Sequence, residues 1–330
     1  MKILGKYPGL RLRRNRKYSW SRRLVAENNL TVNDLILPIF VTEGKNKIEP
    51  IKSMPDVYRY SVDKINPIIN KASKLGIPLV AIFPHTPNKK KNFIGSEALN
   101  EDNLVCRAIR KIKKNNSNIG VMVDVALDPY TNHGHDGILK KKEILNDETI
   151  EILSEQALLQ AEMGCDVIAP SDMMDGRVGQ IRKILDKNNF EDVNILSYAV
   201  KFASNYYGPF RDAVGSKKKI KINKKTYQMD IRNSDDSFRE VALDLKEGAD
   251  MILVKPGMMY LDIISKLKNQ FKTPILAYQV SGEYSLIKDG IKNKLLNEDS
   301  ILESIIAFKR AGACAIISYF AIDIAKKLVR

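Results

Sequence analysis

The sequence predicts an α/β protein built as a single (β/α)₈ barrel. Eight short apolar runs, each typical of a strand that is buried on both faces, alternate with helical patterns along the chain. The succession of helix, glycine and strand recurs at Gly164, Gly248 and Gly312. The alternative is a doubly wound open sheet, but no glycine-rich dinucleotide fingerprint follows any of the runs. Regular alternation of this kind therefore favours the barrel.

The elements follow in order from a polar, basic beginning. We interpret residues 1–30 as an extended N-terminal arm for subunit contacts, and residues 31–330 as the barrel domain. Pro38 weakens the first predicted strand, because proline has no amide hydrogen to donate. Helices are predicted at residues 149–163, 236–247 and 300–310. The eight predicted strands are residues 35–41, 79–83, 120–125, 165–169, 194–198, 249–254, 274–278 and 314–319.

Length and composition exclude several classes of protein. The chain has 330 residues, of which 44% are hydrophobic, enough for a large core. It contains no run of eighteen apolar residues, so we expect no membrane span. Residues 1–17 are basic but lack the apolar segment of a secretory signal. Three scattered cysteines without a CxxC pattern favour the reducing cytoplasm.

The net charge of +15 raises the alternative of a nucleic-acid-binding protein. The lysines, however, lie in short runs at residues 89–91, 140–142 and 217–219, without interleaved aromatic residues. We interpret most of these charges as solvated surface and expect no nucleic-acid partner. A basic protein can also attract a small anionic substrate.

Two lysines stand at the ends of buried strands. Lys255 ends the run MILVK and is followed by Pro-Gly, and Lys201 ends the run ILSYAVK. In a barrel, the carboxyl ends of the strands form the active site, so both side chains would share one pocket. Burial and mutual repulsion would leave at least one amine neutral, able to form a Schiff base with a carbonyl substrate. Either lysine alone could instead extend past the strand end into water.

Further polar residues lie at the same predicted end of the barrel. The segment from Asp124 through Asp128 to Asp136 carries three carboxylates and two histidines, which suits either a metal site or a polar loop capped by aspartates. Ser171 follows the fourth strand, where the alternative role is a helix cap. Arg211 lies ten residues beyond Lys201 and suits a substrate carboxylate. The lysine-rich residues 214–227 are typical of an active-site lid.

The motifs DVALDPYTNHGHDG, APSDMMDGRVGQIR, SYAVKFASNYYGPFRDA, YQMD, LVKPGMMYLDI and AYQVSGEYSLIK together resemble the porphobilinogen synthase family, also called delta-aminolevulinic acid dehydratase. The resemblance runs from Arg11 to Tyr319. It implies a (β/α)₈ barrel whose arm embraces a neighbouring subunit, usually in a homo-octamer. It also implies a lyase that condenses two 5-aminolevulinate molecules into porphobilinogen with loss of two waters, an early step toward haem. A class I aldolase, the other Schiff-base barrel considered, needs only one amine.

The resemblance also implies roles for particular residues. Lys201 and Lys255 match the two Schiff-base lysines, and Arg211 matches a lid residue that binds one substrate carboxylate. Lys224 stands where many members have a second lid arginine, and lysine lacks the bidentate fork of arginine. The residues that match the site of the other carboxylate are Ser281 and Tyr319, with Tyr278 beside them.

The loop after the third strand departs from the zinc-dependent members of the family. Those members carry three cysteines where this chain has Ala126, Asp128 and Asp136, so we expect no thiolate zinc site. The resemblance is to an aspartate-rich version that responds to Mg²⁺ bound elsewhere, and Glu240 matches the carboxylate of that allosteric site. The alternative is that Glu240 is an ordinary exposed helix residue.

Overall fold

The structure is a computed structural model and describes residues 5–116, 118–215 and 223–329. Its strands are β1 (Leu35–Thr42), β2 (Ile48–Pro50), β3 (Tyr58–Ser61), β4 (Leu79–His85), β5 (Gly120–Val125), β6 (Ile138–Lys140), β7 (Glu143–Leu145), β8 (Val167–Pro170), β9 (Asn194–Lys201), β10 (Met251–Lys255), β11 (Ile275–Tyr278) and β12 (Ala315–Ile317). Its helices are α1 (Arg14–Lys17), α2 (Ser19–Leu24), α3 (Asn66–Lys74), α4 (Leu104–Asn115), α5 (Asn146–Glu162), α6 (Arg177–Lys187), α7 (Gly208–Ala213), α8 (Asp235–Lys246), α9 (Leu261–Gln270), α10 (Ser281–Lys292), α11 (Asp299–Ala311) and α12 (Ala321–Leu328).

Eight of these strands run parallel and close into a barrel. Their order around the barrel is β1, β4, β5, β8, β9, β10, β11 and β12, and β12 pairs back with β1 at Leu35 and Ile36. Each of the eight predicted strands is one of these barrel strands. The predicted (β/α)₈ barrel is therefore confirmed.

The glycines predicted to end helices do so with backbone that favours glycine. Gly164, Gly248 and Gly312 have φ values of 95°, 107° and 111°, and each follows one of the predicted helices, α5, α8 and α11. In this left-handed region the absence of a Cβ atom removes a steric penalty. The chain can therefore turn directly from the helix into the next buried strand.

Pro38 lies inside a fully buried barrel strand, contrary to the expectation that it weakens β1. The backbone N–H of Ser318 donates to the Ile36 carbonyl, so the backbone groups of Ile36 face β12. Residues two positions apart on a strand direct their backbone groups to the same side, so the nitrogen of Pro38, which has no hydrogen, also faces β12. The ladder with β12 contains only Leu35 and Ile36 and ends before this position. The proline therefore interrupts no described pair of that ladder.

Two short hairpins were not predicted. In the first, β2 and β3 are antiparallel, and β3 also runs parallel to β1, with Arg59 opposite Phe40. The second hairpin is formed by β6 and β7 in the segment before α5. Both have strands of only three or four residues, too short to show a periodic pattern.

The N-terminal arm is solvent-exposed in this single chain. From residue 5 to residue 29, every side chain is exposed except that of Ser21, and the exposed side chains include Leu12, Trp20 and Leu24. Its role in subunit contacts stays a prediction. Across the described ranges, no helix has both the length and the apolar character needed to cross a bilayer. Of the predicted lid, residues 216–222 lie outside the described residues, as does the lysine run at residues 217–219.

Candidate active site

The two strand-end lysines are brought side by side by the barrel. The strands β9 and β10 are neighbours, and their register pairs Lys201 with Lys255 at the carboxyl end. Neighbouring strands lie about 4.8 Å apart, so the two side chains enter the same region. Both residues are only 5% exposed. Two amines in such surroundings cannot both be as well solvated as ordinary surface lysines.

A cavity opens at this end of the barrel, and both lysines line it. It also contains Asp124 at the end of β5 and the two aspartates of the loop after it, together with Ser171 and the cationic residues Arg211 and Lys224. Its lining residues are Asp124, Asp128, Gly134, Asp136, Ser171, Lys201, Tyr207, Phe210, Arg211, Lys224, Gln228 and Lys255. Most of the residues singled out from the sequence therefore meet in one place.

Lys255 lies in an aromatic environment. Its Nζ atom is 4.7 Å from the ring centroid of Tyr278, 5.0 Å from those of Tyr198 and Phe210, and 5.6 Å from that of Tyr207. Burial lowers the pKa of Lys255 to about 7, and the charge of Lys201 acts in the same direction. The ring faces favour the ammonium form and oppose part of this shift. Near neutral pH a large fraction of this amine is therefore unprotonated.

Lys201 has the opposite electrostatic character. Its Nζ atom donates to Asp136 Oδ1 at 3.2 Å and to the backbone carbonyl of Ser171. Burial alone would lower the pKa of Lys201, but Asp136, with Asp128 and Asp124, raises it above the ordinary lysine value. The two neighbouring lysines thus differ in protonation, because Lys201 has a carboxylate in contact, whereas Lys255 is buried beside the charge of Lys201 with no ion pair in the described part of the chain.

Asp136 links Lys201 to two residues at the C-terminal end of the predicted lid, Lys224 and Tyr227. Its Oδ2 atom accepts from Lys224 Nζ at 2.6 Å and from the Tyr227 hydroxyl at 2.6 Å. Burial would raise the pKa of Asp136, but Lys201 and Lys224 hold it below its usual range. A carboxylate with this many donors is already neutralised. It is poorly suited to bind a metal ion, which would have to displace two ammonium groups.

Asp124 is a carboxyl group of the cavity that can exchange a proton near neutral pH. Burial raises the pKa of Asp124 to about 6, against the opposing charges of Lys255 and Lys201. Its Oδ1 atom is buried and receives no hydrogen bond from the part of the chain that the structure describes. The group can therefore accept a proton from a neighbouring amine and release it again.

Of the residues predicted to bind the second carboxylate, Tyr278 lies beside Lys255, and Tyr319 and Ser281 contact neighbours of that lysine; none of the three is among the described cavity-lining residues. The Tyr278 and Tyr319 hydroxyls are 2.9 Å apart, and the Ser281 hydroxyl accepts from the backbone N–H of Phe210 at 2.8 Å. The Phe210 ring packs on Phe83, with centroids 5.4 Å apart. Phe210 lines the cavity, whereas Phe83, Tyr278 and Tyr319 are not among the described lining residues.

Glu240 lies on α8 and does not line the cavity as described. It is half-buried, and burial raises its pKa to about 7, with Arg177 opposing and Asp244, Asp175 and Asp236 adding to the rise. Unbalanced negative charge of this kind suits a cation. No group of three or more His, Cys, Asp or Glu side chains that could hold a metal occurs within the described ranges. A Mg²⁺ ion that keeps most of its waters needs only one or two carboxylates.

Several residues of the site had no assigned role in the sequence analysis. Tyr207 donates its hydroxyl hydrogen to the backbone carbonyl of Phe202 at 2.9 Å and lies 3.1 Å from that of Lys255. Tyr198 and Phe210 surround the Lys255 amine, and Gln228 lines the cavity. Tyr198, Tyr207 and Phe210 lie within ten residues of Lys201 in the sequence. Aromatic residues close to a strand-end lysine are therefore the sequence signal that could have identified them as site residues.

A (β/α)₈ barrel with two adjacent buried lysines, one of them partly neutral, defines a class of protein: enzymes that act on carbonyl compounds through lysine amines. The sequence profile of the delta-aminolevulinic acid dehydratase family matches residues 9–327. The chain belongs to this family, which confirms the resemblance seen in the sequence.

Individual relatives agree with this assignment. The delta-aminolevulinic acid dehydratase of Bradyrhizobium diazoefficiens is 55% identical over 320 residues, covering 97% of this chain and 91% of the relative. That of Methanothermus sociabilis is 47% identical over 323 residues, covering 98% and 100%. A crystal structure of the Toxoplasma gondii enzyme in complex with the reaction product porphobilinogen superposes with a TM-score of 0.95 at 42% identity, covering 97% of this chain and 92% of that chain.

Proposed function

We propose that this protein is a porphobilinogen synthase that condenses two molecules of 5-aminolevulinate into porphobilinogen with loss of two waters. This is an early step in the formation of haem and other tetrapyrroles. The observation that carries the proposal is the pairing of Lys201 with Lys255 at the ends of β9 and β10. Membership of the family and the cationic residues at the same cavity support it.

Lys255 is the better nucleophile of the pair at neutral pH, because its pKa is about 7. Its free amine attacks the ketone carbon of one substrate, and loss of water gives the imine. The rings of Tyr198, Phe210 and Tyr278 limit the access of water to that bond. Lys201 must first lose a proton, and Asp124, with a pKa of about 6, lies in the same cavity to receive it.

The substrate carboxylates need cationic or hydroxyl partners. Arg211 and Lys224 line the cavity and supply the positive charge for one of them. For the other we propose Tyr278, which lies beside Lys255, with Tyr319 and Ser281, which contact Tyr278 and Phe210 respectively. The Ser281 hydroxyl keeps a hydrogen to donate while it accepts from the amide of Phe210.

The experiment combines product formation with covalent trapping. Purified protein is incubated with 5-aminolevulinate, porphobilinogen is assayed, and a parallel sample is reduced with borohydride before peptide mass mapping. We expect porphobilinogen and a reduced adduct on Lys255, with a second on Lys201. Lys255→Met and Lys201→Met supply the matched controls, each lacking one adduct. Product without an adduct on either lysine would contradict the mechanism, and absence of product would contradict the function.

We also propose that Mg²⁺ stimulates the enzyme through Glu240 and that zinc is not needed. The excess of acidic groups around Glu240 supports a cation there, where it would neutralise charge outside the cavity. The cavity loop offers Ala126 and two aspartates in place of thiolates, and Asp136 is already paired with two lysines. Turnover of metal-stripped protein, with Zn²⁺ and Mg²⁺ returned separately, tests both statements. Calorimetric titration of Mg²⁺ into wild type and Glu240→Ala gives a second readout, in which the variant should lose the binding heat.

Assembly and location complete the proposal. The exposed Leu12, Trp20 and Leu24 of the arm support burial against a neighbouring subunit in a homo-octamer. Light scattering should then give about 300 kDa, from eight copies of 37.3 kDa. Burial raises the pKa of the Cys106 thiol to about 11, which suits an unreactive thiol in the reducing cytoplasm. A monomeric mass at micromolar concentration would contradict the octamer.

A further inference from the structure

The short helix α7 (Gly208–Ala213) carries Arg211, and its last carbonyl groups need hydrogen-bond partners from outside the helix. Arg59, on β3, supplies them. Its Nε atom donates to the Ala213 carbonyl at 2.6 Å, and its Nη2 atom donates to the Asp212 carbonyl at 2.7 Å. The two acceptors directly follow Arg211 in the chain. A planar fork held at two points fixes the orientation of this end of the helix as well as its position.

Two further contacts hold the same end of α7. The Ser53 hydroxyl donates to Asp212 Oδ2 at 2.8 Å, and Lys91 Nζ donates to the Gly215 carbonyl at 3.4 Å. The positive charge of Arg59 also complements the negative end of the helix dipole. The end of α7 is therefore fixed by residues that are distant in sequence, and Arg59 makes two of the four contacts.

The other half of α7 is fixed separately, since the Phe210 amide donates to the Ser281 hydroxyl at 2.8 Å. Arg211 thus lies between a residue anchored by Ser281 and a residue anchored by Arg59. This arrangement gives a structural role to the hairpin of β2 and β3, which was not predicted from the sequence. Its strand β3 extends the barrel sheet beside Phe40 of β1, which places Arg59 within reach of α7.

We propose that Arg59 is a positioning residue for substrate binding, which holds Arg211 in place for a substrate carboxylate. The inference rests on the proposed function, because it takes Arg211 as a carboxylate ligand. Arg59 itself is absent from the described cavity lining, so its effect on catalysis passes through the helix. Loss of the fork leaves the carbonyls of Asp212 and Ala213 without these donors and frees the end of α7.

The test compares two arginines that each donate hydrogen bonds to two backbone carbonyls. Arg182 also caps two backbone carbonyls, those of Val193 and Phe190, each at 2.8 Å, but it is not among the described cavity residues. Arg59→Ala should raise KM for 5-aminolevulinate roughly tenfold, the lower end of what loss of a charge-assisted contact gives, with kcat changed less than about threefold. Arg59→Lys should be intermediate, because lysine keeps the charge without the fork. Arg182→Ala should lower the unfolding temperature and leave KM unchanged.

A double substitution identifies the residue through which Arg59 acts. Arg59→Ala combined with Arg211→Ala should have the same KM as Arg211→Ala alone, because coupled residues are not additive. Additive effects, an unchanged KM in Arg59→Ala, or an equal rise in Arg182→Ala would each overturn the proposal. If Arg59→Ala does not fold, Arg59→Lys and Arg59→Gln carry the same comparison. Wild-type protein that forms no porphobilinogen would overturn the proposed function instead.

Discussion

Replacing Lys255 by methionine should stabilise the folded protein while abolishing turnover. Methionine has a similar length and packs against the surrounding rings, but it cannot form an imine. Lys255 is only 5% exposed, and the described part of the chain gives its amine four ring faces and no ion pair. The native protein therefore retains a destabilising group for its chemistry.

The magnitude follows from the pKa of Lys255. A shift from 10.5 to about 7 corresponds to roughly 5 kcal/mol, at about 1.36 kcal/mol per unit. Between pH 7 and 10.5 the folded state binds fewer protons than the unfolded state, so the stability contributed by this group rises with pH. The remaining penalty is about 4 kcal/mol at pH 7 and about 1 kcal/mol at pH 10. Interaction with the rings offsets about 0.5–2 kcal/mol, so we expect a gain of about 2–4 kcal/mol at pH 7.

Lys201→Met is the matched control and should change stability in the opposite direction. The pKa of Lys201 is raised, so its ion pair stabilises the folded state below pH 10.5 and loses this effect as pH rises through the folded value. Removing one partner of a buried pair costs about 3–5 kcal/mol, because Asp136 keeps its charge. Lys224 still pairs with Asp136, so we expect a loss toward the lower end of that range.

The assay is urea denaturation of wild type and both variants at one protein concentration, at pH 7, 8.5 and 10. Fixed concentration matters because the proposed assembly would contribute to the apparent stability. The stabilisation by Lys255→Met should shrink as pH rises. This pH dependence distinguishes removal of the buried amine from improved packing of the methionine side chain, which would not depend on pH. A Lys255→Met protein less stable than wild type at pH 7, or a gain independent of pH, would refute the reasoning.

Three further predictions concern the charged residues of the site and its support. Arg211→Ala should raise KM for 5-aminolevulinate by an amount equivalent to about 1.5–3 kcal/mol in steady-state kinetics, and an unchanged KM would remove Arg211 from the substrate site. Lys224→Ala should raise KM while Lys224→Arg stays neutral or improves binding, and wild-type kinetics in both would show that Lys224 has no such role. Arg177→Leu leaves the buried Asp172 and Asp244 without their partner, so denaturation should show a loss of about 3–5 kcal/mol, whereas a loss below about 1 kcal/mol would contradict the importance of that network.

The barrel and the paired lysines could be predicted from the sequence because their signals are local. A strand buried on both faces is an apolar run, and a lysine at its end stands out at a single position, as Lys255 does. The barrel rule then brings Lys201 and Lys255 together without any knowledge of side-chain packing. The same rule placed Asp124 and Ser171 in the cavity, since both belong to carboxyl ends of strands or to the loops directly after them.

The rest depends on contacts between distant segments. Asp136 is shared by Lys201 and Lys224, and nothing in the spacing of these residues distinguishes this arrangement from a metal site. Arg59 reaches residues more than 150 positions away from a strand of four residues, too short for a periodic pattern. Such contacts arise from tertiary packing, which overrides local propensity and leaves no trace in one sequence.

The aromatic surroundings of Lys255 have a consequence for chemical modification of the protein. Because the pKa of Lys255 is about 7, a large fraction of this amine is unprotonated at pH 7, whereas an ordinary lysine is neutral in only about 0.03% of molecules. A keto acid small enough to enter the cavity should therefore react at Lys255 in preference to the many surface lysines, and its own carboxylate should be drawn to Arg211 and Lys224. The barrel thus makes one lysine selectively addressable by mild reagents in an otherwise lysine-rich chain.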